Sequence, residues 1–456
     1  MGICGTGMAS LAGMLKEQGY RVTGSDQNVY PPISLFLESL HIPVTDGYRA
    51  ENLHPEPDLV IVGNVITRKN PEAAALASLG LPYLSFPQAV GRFALRDKRS
   101  IVVSGTHGKT TTSALIAWIL ETAGMDPGFM IGGIPADFNR NYKAGNGPYF
   151  VIEGDEYDTA FFDKGPKFLH YRPWITILTS IEFDHADIYR DLDHVIESFR
   201  RLIALIPKDG LLIANGDDAI VIKEAGKAAC RTETYGHGGH NQWRFADTAM
   251  QGSMTRLTIR HRDAEIPFST SLYGRHNIAN LMAAVVLGRY LDIPWAILEA
   301  AAKTFSGVKR RQEVIGERNG ILVLDDFAHH PTAVRETLLA VKERYGDRRL
   351  IAVFEPRSNS SRRNIFQERY ARSFDAADRT FIPEPPLLDG IPAHERFSSR
   401  QLVSDLKGRG LFAAYCGSTD RLLEALTNEV RPGDVVLIMS NGGFDRLHER
   451  LLAALG

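Results

Sequence analysis

The stretch Ser104-Gly105-Thr106-His107-Gly108-Lys109-Thr110-Thr111-Thr112 lies between the apolar run Ile101-Val102-Val103 and a helix predicted over Ser113–Ala123. A glycine-rich turn joining a buried strand to a helix constrains the fold more than any other feature of the chain. The turn leaves backbone N–H groups free, and the helix points its positive end at whatever occupies it. Such a place suits a polyphosphate. In loops of this kind a lysine placed like Lys109 reaches the β- and γ-phosphates, and a hydroxyl placed like that of Thr110 sits on Mg2+. The commoner phosphate loop needs a glycine five residues before Gly108, where Val103 stands, so the turn is a shortened variant. The plain alternative is a strand-to-helix turn with an incidental lysine.

Strands and helices alternate on both sides of this unit. Met8–Gly19 reads as a helix, Arg21–Gly24 as a short strand running into Ser25-Asp26, and Leu59–Val62 as a strand. Phe150–Ile152 and Ile175–Leu178 read as buried strands, Met254–Ser271 as an antiparallel edge, and Asn277 to about Lys303 as helices. Ile321–Leu324, Leu350–Phe354 and Val435–Met439 read as strands, with a helix over Thr332–Tyr345. Alternation of this kind predicts parallel, doubly wound sheets. At roughly 100–200 residues per domain, 456 residues make about three. The expected class is α/β, three domains. A Rossmann-like N-terminal domain spans 1–97, a central P-loop-type ATPase domain with a mostly parallel sheet spans 98–308, and a Rossmann-like C-terminal domain spans 309–456. Met1-Gly2-Ile3-Cys4-Gly5-Thr6-Gly7-Met8 begins inside a glycine-rich turn, so the first strand is expected to be missing or very short.

The formal net charge of -2 gives no electrostatic reason to expect nucleic acid or an anionic membrane as partner. Cys4, Cys230 and Cys416 are odd in number and far apart, which fits a reducing compartment. No apolar run reaches the roughly 18 residues of a membrane span, and no basic-then-apolar leader opens the chain. A cytoplasmic protein is expected, a monomer or weak homo-oligomer.

Two acidic clusters follow buried strands: Glu153-Gly154-Asp155-Glu156-Tyr157-Asp158 and Glu182-Phe183-Asp184-His185-Ala186-Asp187. Both strand ends should lie beside the phosphate turn. Mg2+ takes hard oxygen ligands, so a carboxylate there is expected, whereas a histidine such as His185 is more often structural. Gly5-Thr6-Gly7 with Asp26 about twenty residues on matches a dinucleotide fingerprint imperfectly, because Ser10 stands at the third glycine. Alone it leaves an NAD dehydrogenase and a UDP-sugar binder equally open. Asn277 and Asn280 share a helix face and suit adenine edges, or a helix cap. Arg311, in Lys309-Arg310-Arg311-Gln312-Glu313, suits developing phosphoryl charge, or a solvated hinge. Asp326, in Asp325-Asp326-Phe327-Ala328-His329-His330-Pro331, suits a ribose hydroxyl, or an N-cap.

Taken in order, these motifs resemble the Mur ligase family, and the resemblance spans nearly the whole chain. Its carriers are Gly105–Thr112, Glu153–Asp158, Glu182–Asp187, Gly274–Asn280, Lys309–Glu313 and Asp325–Ala333. It implies an ATP-dependent, Mg2+-requiring ligase. Gly5, Thr6, Gly7, Met8, Ser25, Asp26 and Asn64 would hold a UDP-sugar. Gly105, Thr106, His107, Gly108, Lys109, Thr110 and Thr111 would hold the phosphates of ATP, and Asn277, Asn280 and Asp326 its nucleoside. Thr110, Glu153 and His185 would ligate Mg2+, and Arg311 would touch the transferring phosphate. Within the family, Gly24–Pro32, Tyr157–Lys164, Glu355–Ser360 and Ser440–Phe444 resemble the branch that adds a preformed tripeptide rather than alanine. The expected reaction joins L-Ala-γ-D-Glu-meso-diaminopimelate to UDP-N-acetylmuramate in peptidoglycan recycling, with Arg357, Ser358 and Asn359 reading the peptide. The alanine-adding reaction is the alternative. Several relatives carry a carbamylated lysine where this chain reads Phe199-Arg200-Arg201-Leu202, so catalysis without that group is expected. The mechanism implied is an acyl phosphate stabilised by Lys109 and Arg311, then attack by a neutral amine, with His329 or His330 as base. Two other classes compete: an oxidoreductase resting on Gly5-Thr6-Gly7, and a nucleotide-binding module without catalysis. Neither accounts for Glu153, His185 and the 309–333 motifs together.

Overall fold

The apolar run at 101–103 forms the strand Arg99–Ser104, buried at every residue except Arg99. It runs parallel to Tyr149–Gly154 on one side and Pro173–Leu178 on the other, with Ser104 level with Gly154 and with Leu178. Three buried strands therefore end together, and the loops that leave them share one edge. The computed structural model describes residues 1–31 and 33–456, so Pro32 lies outside the described residues.

The central sheet has ten strands, in the order 264–270, 254–261, 243–251, 231–236, 211–215, 173–178, 99–104, 149–154, 128–130, 142–143. From 243–251 to 128–130 every pairing is parallel, and antiparallel strands close both edges. The helix after the glycine-rich turn is Lys109–Thr122, beginning at Lys109 rather than at the predicted Ser113. Gly108 has φ 80°, a left-handed turn that re-aims the chain so that winding starts at the next residue. The helix is buried from Thr110 to Ala117 and packs against Arg275–Tyr290 and Trp295–Thr304. A helix apolar on all sides belongs in the interior.

In the N-terminal unit Gly24–Asp26 pairs in parallel with Val44–Asp46, and Val60–Val62 with Tyr83–Ser85. The strand predicted at Arg21–Gly24 is shifted to Gly24–Asp26, because the ladder to Val44 starts at Gly24. Met1–Ile3 bridge the two pairs without a strand of their own. The carbonyl of Ser25 accepts from the N–H groups of Gly2 (2.8 Å) and Ile3 (3.1 Å), while the Met1 amine donates to Ile61 at 2.9 Å.

The C-terminal sheet has six strands, in the order 313–318, 321–326, 435–439, 350–354, 379–383, 413–416, parallel except for the first. Asp326 and Phe354 both lie level with Met439, so the loops after all three share an edge. Asp325 and Asp326 are the last residues of their strand, both buried, rather than residues after it. The helix Pro331–Tyr345 follows, capped by His330. The α/β class with three units matches the expectation. No helix among the described residues is long and apolar enough to cross a membrane.

Candidate active site

A cavity of about 2630 Å3 opens where the three units meet. Thr6, Gly7 and Asn64 line it from the N-terminal unit. Thr106 to Thr111, Glu153, His185, Asn277 and Asn280 line it from the central unit, and Arg311, Asp326, His329, His330 and Arg357 to Asn359 from the C-terminal unit. Gly5, Met8, Ser25, Asp26 and Gly105 are not on its wall. Ser25 donates to Glu72 at 2.6 Å, and the Asp26 carboxylate accepts from the N–H groups of Cys4 (2.8 Å) and Asn28 (3.2 Å) and from the Tyr48 hydroxyl (3.4 Å). Both side chains are buried and serve the turns around them.

Lys109 extends from the first turn of its helix into the loop it follows. Its Nζ donates to the carbonyl of Gly105 at 2.6 Å and to Glu156 at 3.0 Å. Burial alone would favour a neutral amine, but Glu156 and Asp155 overcome it and raise the lysine above its ordinary value. Glu156 is itself buried. Burial opposes its charge, yet Lys109 and then His185, 3.3 Å away, hold it below the usual carboxylate range. Asp155 pairs with Lys167 at 3.1 Å, whose ammonium lies 4.1 Å from the centre of the Tyr157 ring.

Thr110 and Glu153 sit together: the hydroxyl donates to one carboxylate oxygen at 3.0 Å, and Gly132 N–H donates to the other at 2.6 Å. Burial, then the charge of Asp155, raises Glu153. A hydroxyl and a buried carboxylate beside the glycine-rich turn make a hard oxygen set of the kind that suits Mg2+. His185 offers nitrogen instead and is engaged by Glu156.

The amides behind the turn are not caps, since the helix Arg275–Tyr290 starts from Gly274 without a side-chain cap. Asn277 donates to Gln312 Oε1 at 2.9 Å and to the carbonyl of Tyr273 at 3.1 Å. Asp326 accepts from Gln312 N–H at 2.8 Å and Ala328 N–H at 2.7 Å. The helix that follows is capped by His330 and not by Asp326.

The two histidines expected as candidate bases differ in environment. His330 is 1% exposed. Its Nδ1 accepts from Thr332 N–H at 3.3 Å, which leaves the proton on Nε2 to donate to the carbonyl of Phe183, also at 3.3 Å. Burial, then the neighbouring His107, lowers its pKa to about 3. Both nitrogens are occupied, so His330 has no lone pair to offer a proton. His329 donates from Nδ1 to the carbonyl of Phe327 at 3.1 Å, and its Nε2 stands 3.8 Å from Asp184. Burial lowers its pKa, so the ring is neutral near pH 7.

This arrangement predicts acid sensitivity. In the folded chain His330 stays neutral down to about 3, whereas in the unfolded chain it takes up a proton near 6.5. The contribution of this group is therefore nearly complete at pH 7 and is lost as pH falls through 6.5, by about 2 kcal/mol between pH 7 and 5. His330→Asn keeps a good cap and removes that proton, so its unfolding midpoint in urea should fall less between pH 7 and 5. An equal fall in both proteins would refute the assignment.

Among the described residues, His107, Glu182 and His330 bring possible metal-ligating atoms within 4.8 Å of one another. The Arg369 guanidinium lies 2.6 Å from Glu182, where it already supplies the positive charge. Residue type and spacing do not single out Glu182, Asp184, Glu156, Lys167 or Arg369 as site residues. The first three stand inside the motifs 153–158 and 182–187, and that membership is the signal that finds them. Lys167 and Arg369 carry no local signal.

Residues 1–98 match the Mur ligase family, catalytic domain, residues 103–288 the Mur ligase middle domain, and residues 310–442 the Mur ligase, glutamate ligase domain. The chain is 40% identical over 457 residues to the UDP-N-acetylmuramate–L-alanyl-γ-D-glutamyl-meso-2,6-diaminoheptandioate ligase of Escherichia coli strain K12, covering 100% of this chain and 97% of that one. It is 33% identical over 460 residues to the UDP-N-acetylmuramate–L-alanine ligase of Desulfatibacillum aliphaticivorans, covering 100% and 97%. Its fold is similar to the crystal structure of a murein peptide ligase from Psychrobacter arcticus 273-4, with a TM-score of 0.73 and 36% identity over 100% of this chain and 98% of that one.

Proposed function

The chain belongs to the Mur ligase family, and from that premise we propose that it joins L-Ala-γ-D-Glu-meso-diaminopimelate to UDP-N-acetylmuramate at the expense of ATP. As a family member it is an ATP-dependent ligase of the acid–amino-acid type. The observation that carries the finer reading is its identity along the whole length to a relative named for that tripeptide, above that to the relative named for alanine. A cavity reaching from Gly7 and Asn64 to Arg357 supports it, since a UDP-sugar, ATP and a tripeptide must be accommodated together.

We divide the chain into a UDP-sugar domain over 1–97, an ATP domain over 98–308 and a peptide domain over 309–456, and place its work in the cytoplasm as a monomer or weak homo-oligomer. Gly5, Thr6, Gly7, Met8, Ser25, Asp26 and Asn64 form the UDP-sugar end. There Thr6, Gly7 and Asn64 face the cavity, while Ser25 and Asp26 shape the turns behind them. Thr110 and Glu153 would hold Mg2+, which when bound neutralises β- and γ-phosphate charge. The lactyl carboxylate oxygen attacks the γ-phosphorus, the bond to ADP breaks, and an acyl phosphate results. Lys109 and Arg311 offset the developing charge. The tripeptide amine then attacks the acyl carbon as the neutral base, and inorganic phosphate leaves. His329, neutral and with Nε2 beside Asp184, takes the proton. Arg357 holds a peptide carboxylate. It is 3.3 Å from Glu355 and rests on Gly442, where a Cβ would come within 2.1 Å of its side chain.

Phosphate release from ATP, Mg2+ and UDP-N-acetylmuramate tests this, with the tripeptide and L-alanine compared as acceptors. Release with the tripeptide at least about tenfold above that with alanine is expected, a margin of about 1.4 kcal/mol in the transition state. The reverse order would assign the alanine-adding reaction.

A further inference from the structure

The loop Glu182–Asp187 contacts both the phosphate turn and the C-terminal unit. Toward the turn, Glu182 N–H donates to Thr106 Oγ1 at 2.8 Å, and Glu182 Oε1 lies 3.4 Å from His107 Nε2. Toward the C-terminal unit, Glu182 Oε2 accepts from the Thr332 hydroxyl at 2.9 Å and from Arg369 at 2.6 Å. Further along, Ala186 N–H donates to Ser360 Oγ at 3.2 Å, and Asn359 donates to Asp187 at 2.8 Å. Glu182 therefore joins the turn, through its backbone to Thr106 and with its carboxylate beside His107, to two side chains of another unit.

Arg369 belongs to the short helix Gln367–Tyr370 and comes from no motif of the chain. Its guanidinium also lies 3.2 Å from the Thr332 hydroxyl and 5.5 Å from the centre of the Phe366 ring. A single nitrogen, Nη2, therefore donates to both Glu182 and Thr332, so a lysine ammonium, with three donors on a flexible stem, can reproduce part of the contact. Burial opposes the charge of Glu182, but His107, His330 and Arg369 hold it far below the usual carboxylate range, so the carboxylate is ionised throughout the working pH range.

We propose that Arg369 is a positioning residue for the ligation, acting through Glu182 to hold the phosphate turn and the C-terminal unit in one arrangement. The turn is held through Thr106 by a residue whose own carboxylate is held from across the domain boundary. Docking of the C-terminal unit and the geometry of the phosphate turn then reinforce each other, so that the turn is set for transfer when the acceptor side is in place. Asn359 and Ser360 belong to the same clasp, which gives Asn359 a docking role besides any contact with peptide. The inference rests on the ligase reading above.

The test is a double-mutant cycle on phosphate release with tripeptide, using Arg369→Ala, Arg369→Lys, Glu182→Gln and the double variant Arg369→Ala with Glu182→Gln. Arg369 is 46% exposed on its side chain, so its removal leaves the core intact, and thermal unfolding of each variant checks this. A charge-assisted bond of this kind predicts that Arg369→Ala lowers kcat about tenfold. The KM for UDP-N-acetylmuramate should stay unchanged, because that substrate is assigned to the far end of the cavity. Arg369→Lys should recover part of the loss, and the double variant should be no slower than Glu182→Gln alone. Additive losses, or full activity in Arg369→Ala, would overturn the proposal. If the ligase reading itself were wrong, the unaltered protein would release no phosphate with tripeptide, which separates the two failures.

Discussion

Replacing Lys109 with alanine should lower kcat for phosphate release about a thousandfold, near the upper end of what removal of one preorganised charge-stabilising donor costs. The ammonium lies in the turn, bonded to Gly105 at 2.6 Å and Glu156 at 3.0 Å, and needs little reorganisation to meet phosphate oxygens. Its loss has a second effect. Glu156, 3% exposed on its side chain, would be left with His185 at 3.3 Å in place of a lysine. Breaking a buried pair from one side costs about 3–5 kcal/mol, so Lys109→Ala should also unfold at a lower temperature. The variant carrying Lys109→Met with Glu156→Gln separates the effects: it removes both charges and should regain stability while remaining inactive. Activity in that double variant within tenfold of the unaltered protein would show that Lys109 serves the fold rather than the phosphates.

Gly108→Ala should lower kcat/KM for ATP about a hundredfold, the scale on which a misplacement of about 1 Å acts. The glycine has φ 80°, where an L side chain is strained by about 1–2 kcal/mol. A Cβ there would also meet Asn280 Oδ1 at 2.5 Å, closer than such atoms approach. Either the turn shifts or Asn280 yields, and Asn280 lies beside Asn277 in the part of the cavity assigned to the nucleoside. The loss should appear mainly in nucleotide affinity, read by titration with a fluorescent ATP analogue, with the KM for tripeptide little changed. Unaltered ATP affinity would mean that the turn tolerates the added methyl and that the close approach to Asn280 is slack.

Residues close together in the chain explain how much of the site could be read in advance. Ser104 to Thr111 is a strand end, a turn and a helix start within a few positions, so its chemistry follows from residue type and spacing. Glu153 with Thr110, and Asp326 at a strand end, needed one further rule, that parallel strands end together at the binding edge. That rule also placed Glu156 and Glu182 within reach. It did not say that Glu156 would hold Lys109 and His185 together, or that His330 would turn inward to cap a helix while His329 kept its Nε2 beside Asp184.

By itself the sequence determined the α/β character, the three units, the glycine-rich turn between strand and helix, and the family, because each rests on local periodicity and on motifs whose order survives translation into space. Tertiary structure alone decided which motif residues face the cavity and which are taken up by the fold. Ser25 and Asp26 are spent on Glu72 and on the N–H groups of Cys4 and Asn28. Arg369 reaches Glu182 across 187 positions of chain. Such pairings depend on strand order and on how one unit docks against another. A hydrogen bond is made to whatever atom lies within about 3 Å, and no spacing along the chain encodes that distance.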